Sequence, residues 1–467
     1  MAGRDRLPGK LHAWRMHKTA WHAADFLGAA FVLGRTGEAL EAAHFILASG
    51  TNAPQPVKQL AEQVLTGSSQ PPTCAAAETL SGIRARLHDA RIRLREDPRN
   101  AVLLVDVARD YAILGSLRQA THAMAMALAL APENRFVLRC AVRLYQHSGD
   151  LERAHDLIAR ARAAPGDPWL LAAEMAVASA AHRKPRFTKR ARQTLAGGSH
   201  PPAHLSEMAS ALATLELAAG KTRAAKRLFG VALRAPNDNT LAQAEWAASG
   251  ELRGWDVDLN RFVVPCNFEA LASRDFYAGQ WDASLGQALG WLHDQGFSTR
   301  PAAHASYLAS SIFEDYPKAQ EILECGLRAN PTEPTLLNNL AYALAMSGRP
   351  LEALDVLRRV DRSAPSGIGA VPLIATWGLI QYKLGNPKEG RALYAQAIEK
   401  AKGNRRYRAA AAINLAREEI LLRSPVADQA LKEAVQESAR VHEPDIAFLL
   451  MRVVRLAGLP TTERPRR

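Results

Sequence analysis

Three histidines, His12, His17 and His22, flank Trp14 and Trp21 near the start of the chain, and metal ligation is the chemistry they could do. On one continuous helix a spacing of five turns successive side chains by about 140°, so the three do not converge on an ion. Asp256, Asp258 and Asn260 imitate the first half of a calcium loop. Arg261 stands where that loop needs Gly, and the closing Glu is missing. "SGIGAV" at 366–371 is a short excess in a loop rather than a phosphate cradle. No H-E-x-x-H, G-x-S-x-G, Walker loop or G-x-G-x-x-G occurs. The chain thus reads as not an enzyme, with no catalytic residue, no metal and no cofactor. Cys74, Cys140, Cys266 and Cys325 show no metal spacing and read as buried, reduced thiols, which suits a cytoplasmic location.

Any site must therefore be assembled by the elements, and composition bounds what those are. A chain of 467 residues is too long for one ordinary core unless it is a repeat array. It is 48% apolar but only 6% aromatic, and Ala and Leu dominate. That favours closely packed helices over sheets, so the expected fold class is all-α. The formal charge is +13, which suits nucleic acid or an acidic partner. Yet 46 of the 59 basic residues are Arg, and a GC-rich coding sequence yields Ala and Arg without selection for binding. The best apolar run near the N-terminus, Ala23 to Leu33, contains Asp25 and has helical amphipathic spacing. No stretch approaches the roughly 18 uninterrupted apolar residues of a membrane helix, so no membrane partner is expected and the chain reads as soluble and not exported.

The elements repeat. "NNLAYALAMSGRPLEAL", residues 338–354, shows a helical run, a Ser-Gly break and a second run opened by Pro350. Gly348 is followed five residues on by Ala353, and the same pair recurs at Gly34/Ala39, Gly115/Ala120, Gly149/Ala154 and Gly220/Ala225. Gly115 to Gly149, Leu104 to Leu138, Tyr111 to Tyr145 and Ala319 to Ala353 are all intervals of 34 residues. A Gly can take the left-handed conformation that ends a first helix and reverses the chain. The Ala lets two helix axes approach, as do Ala108 and Ala341 on first helices. Met124, Ile158, Phe229, Leu357 and Tyr394 fill the equivalent turn of the second helices. Pro132, Pro331 and Pro365 stand where a second helix ends or the next element opens.

Helix-turn-helix units of 34 residues with this small/large pattern resemble tetratricopeptide repeats. The clearest copies are 101–134, 135–168, 206–239, 300–333, 334–367 and 371–404, with weaker ones at 20–53, 265–298 and about 409–442. The resemblance implies an α-solenoid, a right-handed superhelix whose first helices line a concave groove. Within it, an N-terminal segment at 1–19 precedes an arm at 20–246 that contains degenerate repeats. An irregular junction at 247–264, expected to carry few core contacts, leads to a second arm at 265–457 that ends in a capping helix from Pro444 to Leu456. A basic tail follows at 458–467. Two basic stretches interrupt the pattern: Arg84, Arg86, Arg91, Arg93 and Arg95 on one helix, and "HRKPRFTKRARQTLAGGSHPP" at 182–202.

Chaperone-adaptor members of the family clamp a carboxylate with Lys, Asn and Arg on successive first helices. The corresponding residues here are His304, Leu308, Asn339, Pro372 and Thr376, of which only Asn339 matches, so the chain does not look like a binder of chaperone tails. Asn338, Asn339, Tyr342 and Tyr382 are expected to face the groove in the C-terminal repeats, and Arg139 and Arg143 in the N-terminal ones. Tyr and Asn suit a peptide, and Arg suits acidic groups. The leading expectation is a scaffold that binds another protein or peptide. The alternatives are an RNA- or nucleic-acid-associated solenoid using its Arg surface, and a regulatory sensor of a separately encoded enzyme.

Overall fold

The computed structural model describes residues 7–32, 35–48, 53–66, 80–198, 200–252, 254–360 and 367–458. Gly34, Cys74, Pro365 and the end of the basic tail lie outside them. The described residues form helices and connections, with no strand. They divide into two compact units, 1–270 and 271–467.

The first unit opens with α1 (Leu7–Met16), α2 (Ala20–Val32), α3 (Leu40–Leu47), α4 (Gln55–Thr66) and α5 (Leu80–Glu96). Regular pairs follow: α6 (Ala101–Ile113) with α7 (Leu117–Leu130), then α8 (Arg135–His147) with α9 (Leu151–Arg160). Next come α10 (Pro168–Ala180) with α11 (Thr188–Ala196), α12 (Pro202–Ala218) with α13 (Thr222–Ala232), and α14 (Asp238–Ser249). Each first helix packs on the next, α6 on α8, α8 on α10, α10 on α12 and α12 on α14. Such a row is an α-solenoid, because each pair covers the apolar face its neighbour leaves open.

The division falls in the first turn of α15 (Phe268–Tyr277). The second unit continues with α16 (Trp281–Asp294), α17 (Thr299–Tyr307), α18 (Tyr316–Ala329), α19 (Pro334–Met346) and α20 (Pro350–Arg358). It ends with α21 (Ala370–Lys383), α22 (Pro387–Lys400), α23 (Arg405–Leu421), α24 (Ala427–Ser438) and α25 (Pro444–Leu456). Here α17, α19, α21, α23 and α25 form the stacked row.

The reversal inside each pair is set by one residue. Gly115, Gly149, Gly220 and Gly348 have φ of 75°, 78°, 73° and 77°, and Gly279 and Gly385 do the same at 70° and 82°. The amide just after the Gly then folds back: Ser116 N–H donates to Tyr111 O at 2.8 Å, and Arg349 N–H donates to Leu344 O at 2.9 Å. This satisfies carbonyls that the helix end orphans. Three pairs make the turn without Gly, through His182 (53°), Glu314 (56°) and Arg423 (51°). A side chain in that region costs about 1–2 kcal/mol, and it hides these turns from a search for Gly.

Helix crossings depend on missing bulk. Ala120, Ala154, Ala225, Ala319 and Ala353 are fully buried, as are Ala108 and Ala341 opposite. Met124, Ile158, Phe229, Leu357 and Tyr394 are buried beside them. In the α21–α22 pair the small position is Gly390. A Cβ added there would lie 2.5 Å from the Tyr382 ring and 2.9 Å from Gly378 O.

Between α14 and α15 the chain is irregular but not loosely held. Leu252, Val257 and Leu259 are buried, and Trp255 packs on Phe229 with ring centroids 5.5 Å apart. The expectation of few core contacts at 247–264 does not hold: the segment covers the face where a second helix would lie. Asp258 accepts from Asn260 N–H at 3.2 Å, a local turn cap. Cys266 (φ 51°) is disulfide-bonded, whereas Cys140 and Cys325 are free. The expectation of buried, reduced thiols fails for Cys266, and Cys325 is free but exposed.

Gly390→Ala is expected to lower stability by about 1–3 kcal/mol, because Tyr382 and the Gly378 backbone must yield. Exposed Gly286 in α16 has nothing within 4 Å of an added Cβ. Gly286→Ala should leave stability unchanged or raise it by up to about 1 kcal/mol. Thermal melts of both variants check the pair.

Candidate functional site

The row of first helices in the second unit curves so tightly that non-adjacent members touch. Arg417 of α23 reaches past α21 to α19, donating to the Tyr342 hydroxyl at 3.0 Å and lying 3.3 Å from Met346 Sδ. Its Nε donates to Glu418 at 3.0 Å, and the residue is 7% exposed. Burial works against the guanidinium charge, but the Tyr342 and Glu418 oxygens outweigh it and hold the pKa above its ordinary value.

The last helix closes this inner face. Asp445, in the first turn of α25, is fully buried. Its Oδ2 accepts from the Tyr307 hydroxyl of α17 at 2.5 Å and from Arg406 of α23 at 2.6 Å. One helical turn on, Phe448 enters the cluster of Phe276, Trp281, Tyr307, Leu308 and Ile312, 5.9 Å from the Trp281 ring centre. A further turn on, Arg452 donates to Ser311 O at 2.9 Å and to Ile312 O, and pairs with Glu314 at 3.0 Å. Residues 308–312 form a π-turn that ends this first helix, so Arg452 meets carbonyls at the negative end of its dipole. Asp445, Phe448 and Arg452 share one face by their i, i+3, i+7 spacing. The neighbouring face carries Ile446 and Val453 into the main core of the unit.

The expected groove residues separate on this geometry. Asn339 bridges helices, its amide donating to Ser306 Oγ at 3.1 Å and to Ala303 O at 3.4 Å. Asn338 is 9% exposed, and its Oδ1 has no partner among the described residues. Tyr342 is half-buried on the inner face and paired with Arg417. Tyr382 does not face the groove. Its ring packs into the slot left by Gly390, and its hydroxyl bonds the buried Glu419 carboxylate, which Arg391 and Ser424 also hold. Sequence reasoning missed Tyr307, Arg406, Arg417 and Arg452. The one available signal was α25 itself, whose acidic first turn and basic end complement a helix pair lying across it.

In the first unit Arg139 makes a two-bond pair with Glu207 at 2.8 and 3.0 Å, with its guanidinium 4.8 Å from the Trp169 ring centre. Asn237 donates to the same carboxylate at 2.7 Å. Arg143 is exposed beyond this network. The unit also closes on itself, since Phe31 of α2 meets His204 of α12 at 4.8 Å and Asn134 donates to Asp25 at 3.0 Å. The basic stretch at 182–202 is largely used internally. Arg183 binds Glu152 and Asp156, Arg186 and Arg190 bind carbonyls of Ala159 and Pro165, and Arg192 binds Glu216.

His17 and His22 do come together, with ring centroids 5.1 Å apart, because α1 ends at Met16 and the two residues do not share a helix. Among the described residues, no three metal-competent side chains converge. No described helix is long and apolar enough to cross a membrane.

The class defined by these features is an α-solenoid of tetratricopeptide-like helix pairs. No protein family's profile matches the chain, and no curated protein matches it. Solved structures of similar course include the APC/C hetero-tetramer Cut9-Hcn1, at 12% identity and TM-score 0.38, covering 96% of this chain and 92% of that one. Human IFIT1 dimer with m7Gppp-AAAA has 13% identity and TM-score 0.36, covering 98% and 96%. Yeast Tom70 has 11% identity and TM-score 0.31, covering 94% and 95%. At such values the likeness carries neither a family nor a function.

Behind the inner face, His304 carries a pH signature. Burial, followed by Arg300 and Arg406, pushes its pKa down from 6.5 to about 4. Ser284 donates to Ala272 O at 2.8 Å, so its oxygen accepts from His304 Nε2–H at 3.1 Å, a bond that either protonation state can make, and burial with the two arginines is what favours the neutral ring. The unfolded chain takes up this proton first, so stability is full above pH 6.5 and falls by up to about 3 kcal/mol as pH drops to 4. His304→Gln should flatten the fall in urea midpoint over that window relative to the unchanged chain.

Proposed function

We propose that this chain is a noncatalytic scaffold that takes an amphipathic helix of a partner protein onto the inner face of residues 271–467. The observation that carries the reading is α25. The face already holds a helix through a carboxylate at its first turn, an aromatic anchor one turn on and an arginine one turn further. Tyr307 with Arg406, the Phe276–Trp281 cluster and the carbonyls at 311 and 312 are the complementary groups. A partner helix with acidic, aromatic and basic residues at i, i+3 and i+7 would meet the same three subsites. Helix-in-groove recognition works through anchors at such spacings. The chain's own helix competes at the high effective concentration of a tethered segment, so a partner succeeds by matching it more closely or when α25 is released.

Protein binding is favoured over nucleic acid because so many arginines serve the fold. Arg86, Arg139, Arg183, Arg192, Arg391, Arg406 and Arg417 are paired with carboxylates of the chain, leaving fewer for phosphates. Among the groove expectations, Tyr342 and Asn338 remain in the proposal, Asn339 as a helix bridge and Arg139 and Arg143 as a second surface.

A protease site inserted between Ala439 and Glu443 lets α25 be cut from the folded protein. A fluorescent peptide of sequence 443–457 should then exchange onto the inner face with a dissociation constant on the order of micromolar. Replacing its Asp445 by Ala should weaken binding about tenfold. If α25 leaves, the melt stays cooperative and the peptide does not bind, the reading is wrong.

A further inference from the structure

The first unit carries a second groove, with none of the Arg139 network in its lining, that the inner-face reading does not use. A cavity of about 1030 Å³ lies between α5, α6 and α7. Its apolar wall is Leu94 of α5, Leu104, Val107 and Tyr111 of α6, and Leu117 and Met126 of α7. Leu117 and Met126 are 37% and 42% exposed. Side chains of this size left open along one groove have no role in the core of the unit.

Arg118 and His122 line the groove and no carboxylate does, although Glu96 and Asp97 come just after Leu94 in the chain. On α5, the exposed residues Arg84, His88, Arg91 and Arg95 recur at i, i+4, i+7 and i+11, a stripe about 16 Å long on one face. Arg91 and Arg95 flank Leu94 in that helix. Like charges at this spacing destabilise a helix by a few tenths of a kcal/mol per pair, so the stripe does not serve α5 itself. Arg86, by contrast, turns inward to Asp110 at 2.6 Å. A phosphate backbone would be served by the stripe but would gain nothing from an apolar wall six residues long. An acidic amphipathic helix would use both, its apolar stripe against Leu94, Tyr111 and Met126 and its carboxylates against the flanking cations.

We infer that the α5–α6–α7 groove is a docking site for an acidic amphipathic helix of a partner protein, separate from the inner face of 271–467.

The test uses the full chain and a labelled peptide of about 16 residues, long enough to span the stripe. The peptide carries Leu at i, i+3, i+4 and i+7 and Glu elsewhere. A scrambled peptide of the same composition and a Lys-for-Glu version serve as controls. Saturable binding of the acidic amphipathic peptide, about tenfold tighter than either control, is the expected result. Met126→Glu and the double change Arg91→Glu with Arg95→Glu should each weaken it about tenfold. These residues are exposed, so the melting curve should not move, and peptide exchange at the inner face should be unaffected. Equal binding of the scrambled peptide would overturn the inference. So would displacement by a single-stranded oligonucleotide, or loss of a dimer on Met126→Glu, since the groove would then serve nucleic acid or a second copy. Failure at this groove with intact exchange at the inner face would leave the scaffold reading standing.

Discussion

In each described regular pair from α6–α7 onward the first helix must stop and reverse within a few residues, and that reversal depends on one backbone conformation. A single positive-φ residue lets the amide beyond it bond back to the last turn of the helix. The second helix then lies antiparallel, at a distance set by a fully buried Ala or Gly where the axes cross. Stacking of pairs follows, because a close-packed pair has one apolar face left. Where the position is filled by His182, Glu314 or Arg423, the same bonds form at the cost of local strain. Packing on both neighbours outweighs a strain of about 1–2 kcal/mol.

Curvature is what turns this row into a site. Because α19 and α23 can touch across α21, the inner face is narrow, and polar groups on it lose water unless they bond to each other. A buried charge left unpaired costs several kcal/mol, so Arg417 and Asp445 are stable only as parts of networks. Those networks reach across the unit, Arg417 to Met346 over 71 positions and Asp445 to Tyr307 over 138. They hold the ends of the second unit together as α25 closes over the row. The same logic uses Arg139 and Glu207 in the first unit, where the guanidinium also lies on Trp169. A large part of the positive charge is therefore structural, while the stripe on α5 stays outside such pairing.

Departures from the repeat are where the fold acquires individuality. The irregular segment after α14 substitutes packed side chains for a helix, with Trp255 lying on Phe229. The π-turn at 308–312 leaves two carbonyls for Arg452. Neither feature has a local sequence mark, because each is stabilised by a distant partner rather than by its own propensity.

The sequence by itself determined the helical class, the period and the crossing positions. Local rules govern those: Gly115 or Gly348 is favoured where φ is positive, Ala120 or Ala353 where axes meet, and both recur in register. It also pointed to Asn339 and Tyr342 as residues of first helices. Only the tertiary structure decided what these residues do. Asn339 joins two helices, and Tyr342 is engaged by an arginine 75 residues away. Tyr382 turned into the core because Gly390, eight residues on, leaves a slot that periodicity cannot reveal. Likewise Asp445, Phe448 and Arg452 were visible only as a terminal helix. Their pairing with Tyr307, Trp281 and Ser311 depends on how tightly the row curves, and curvature sums small rotations over several pairs that no single stretch of sequence encodes.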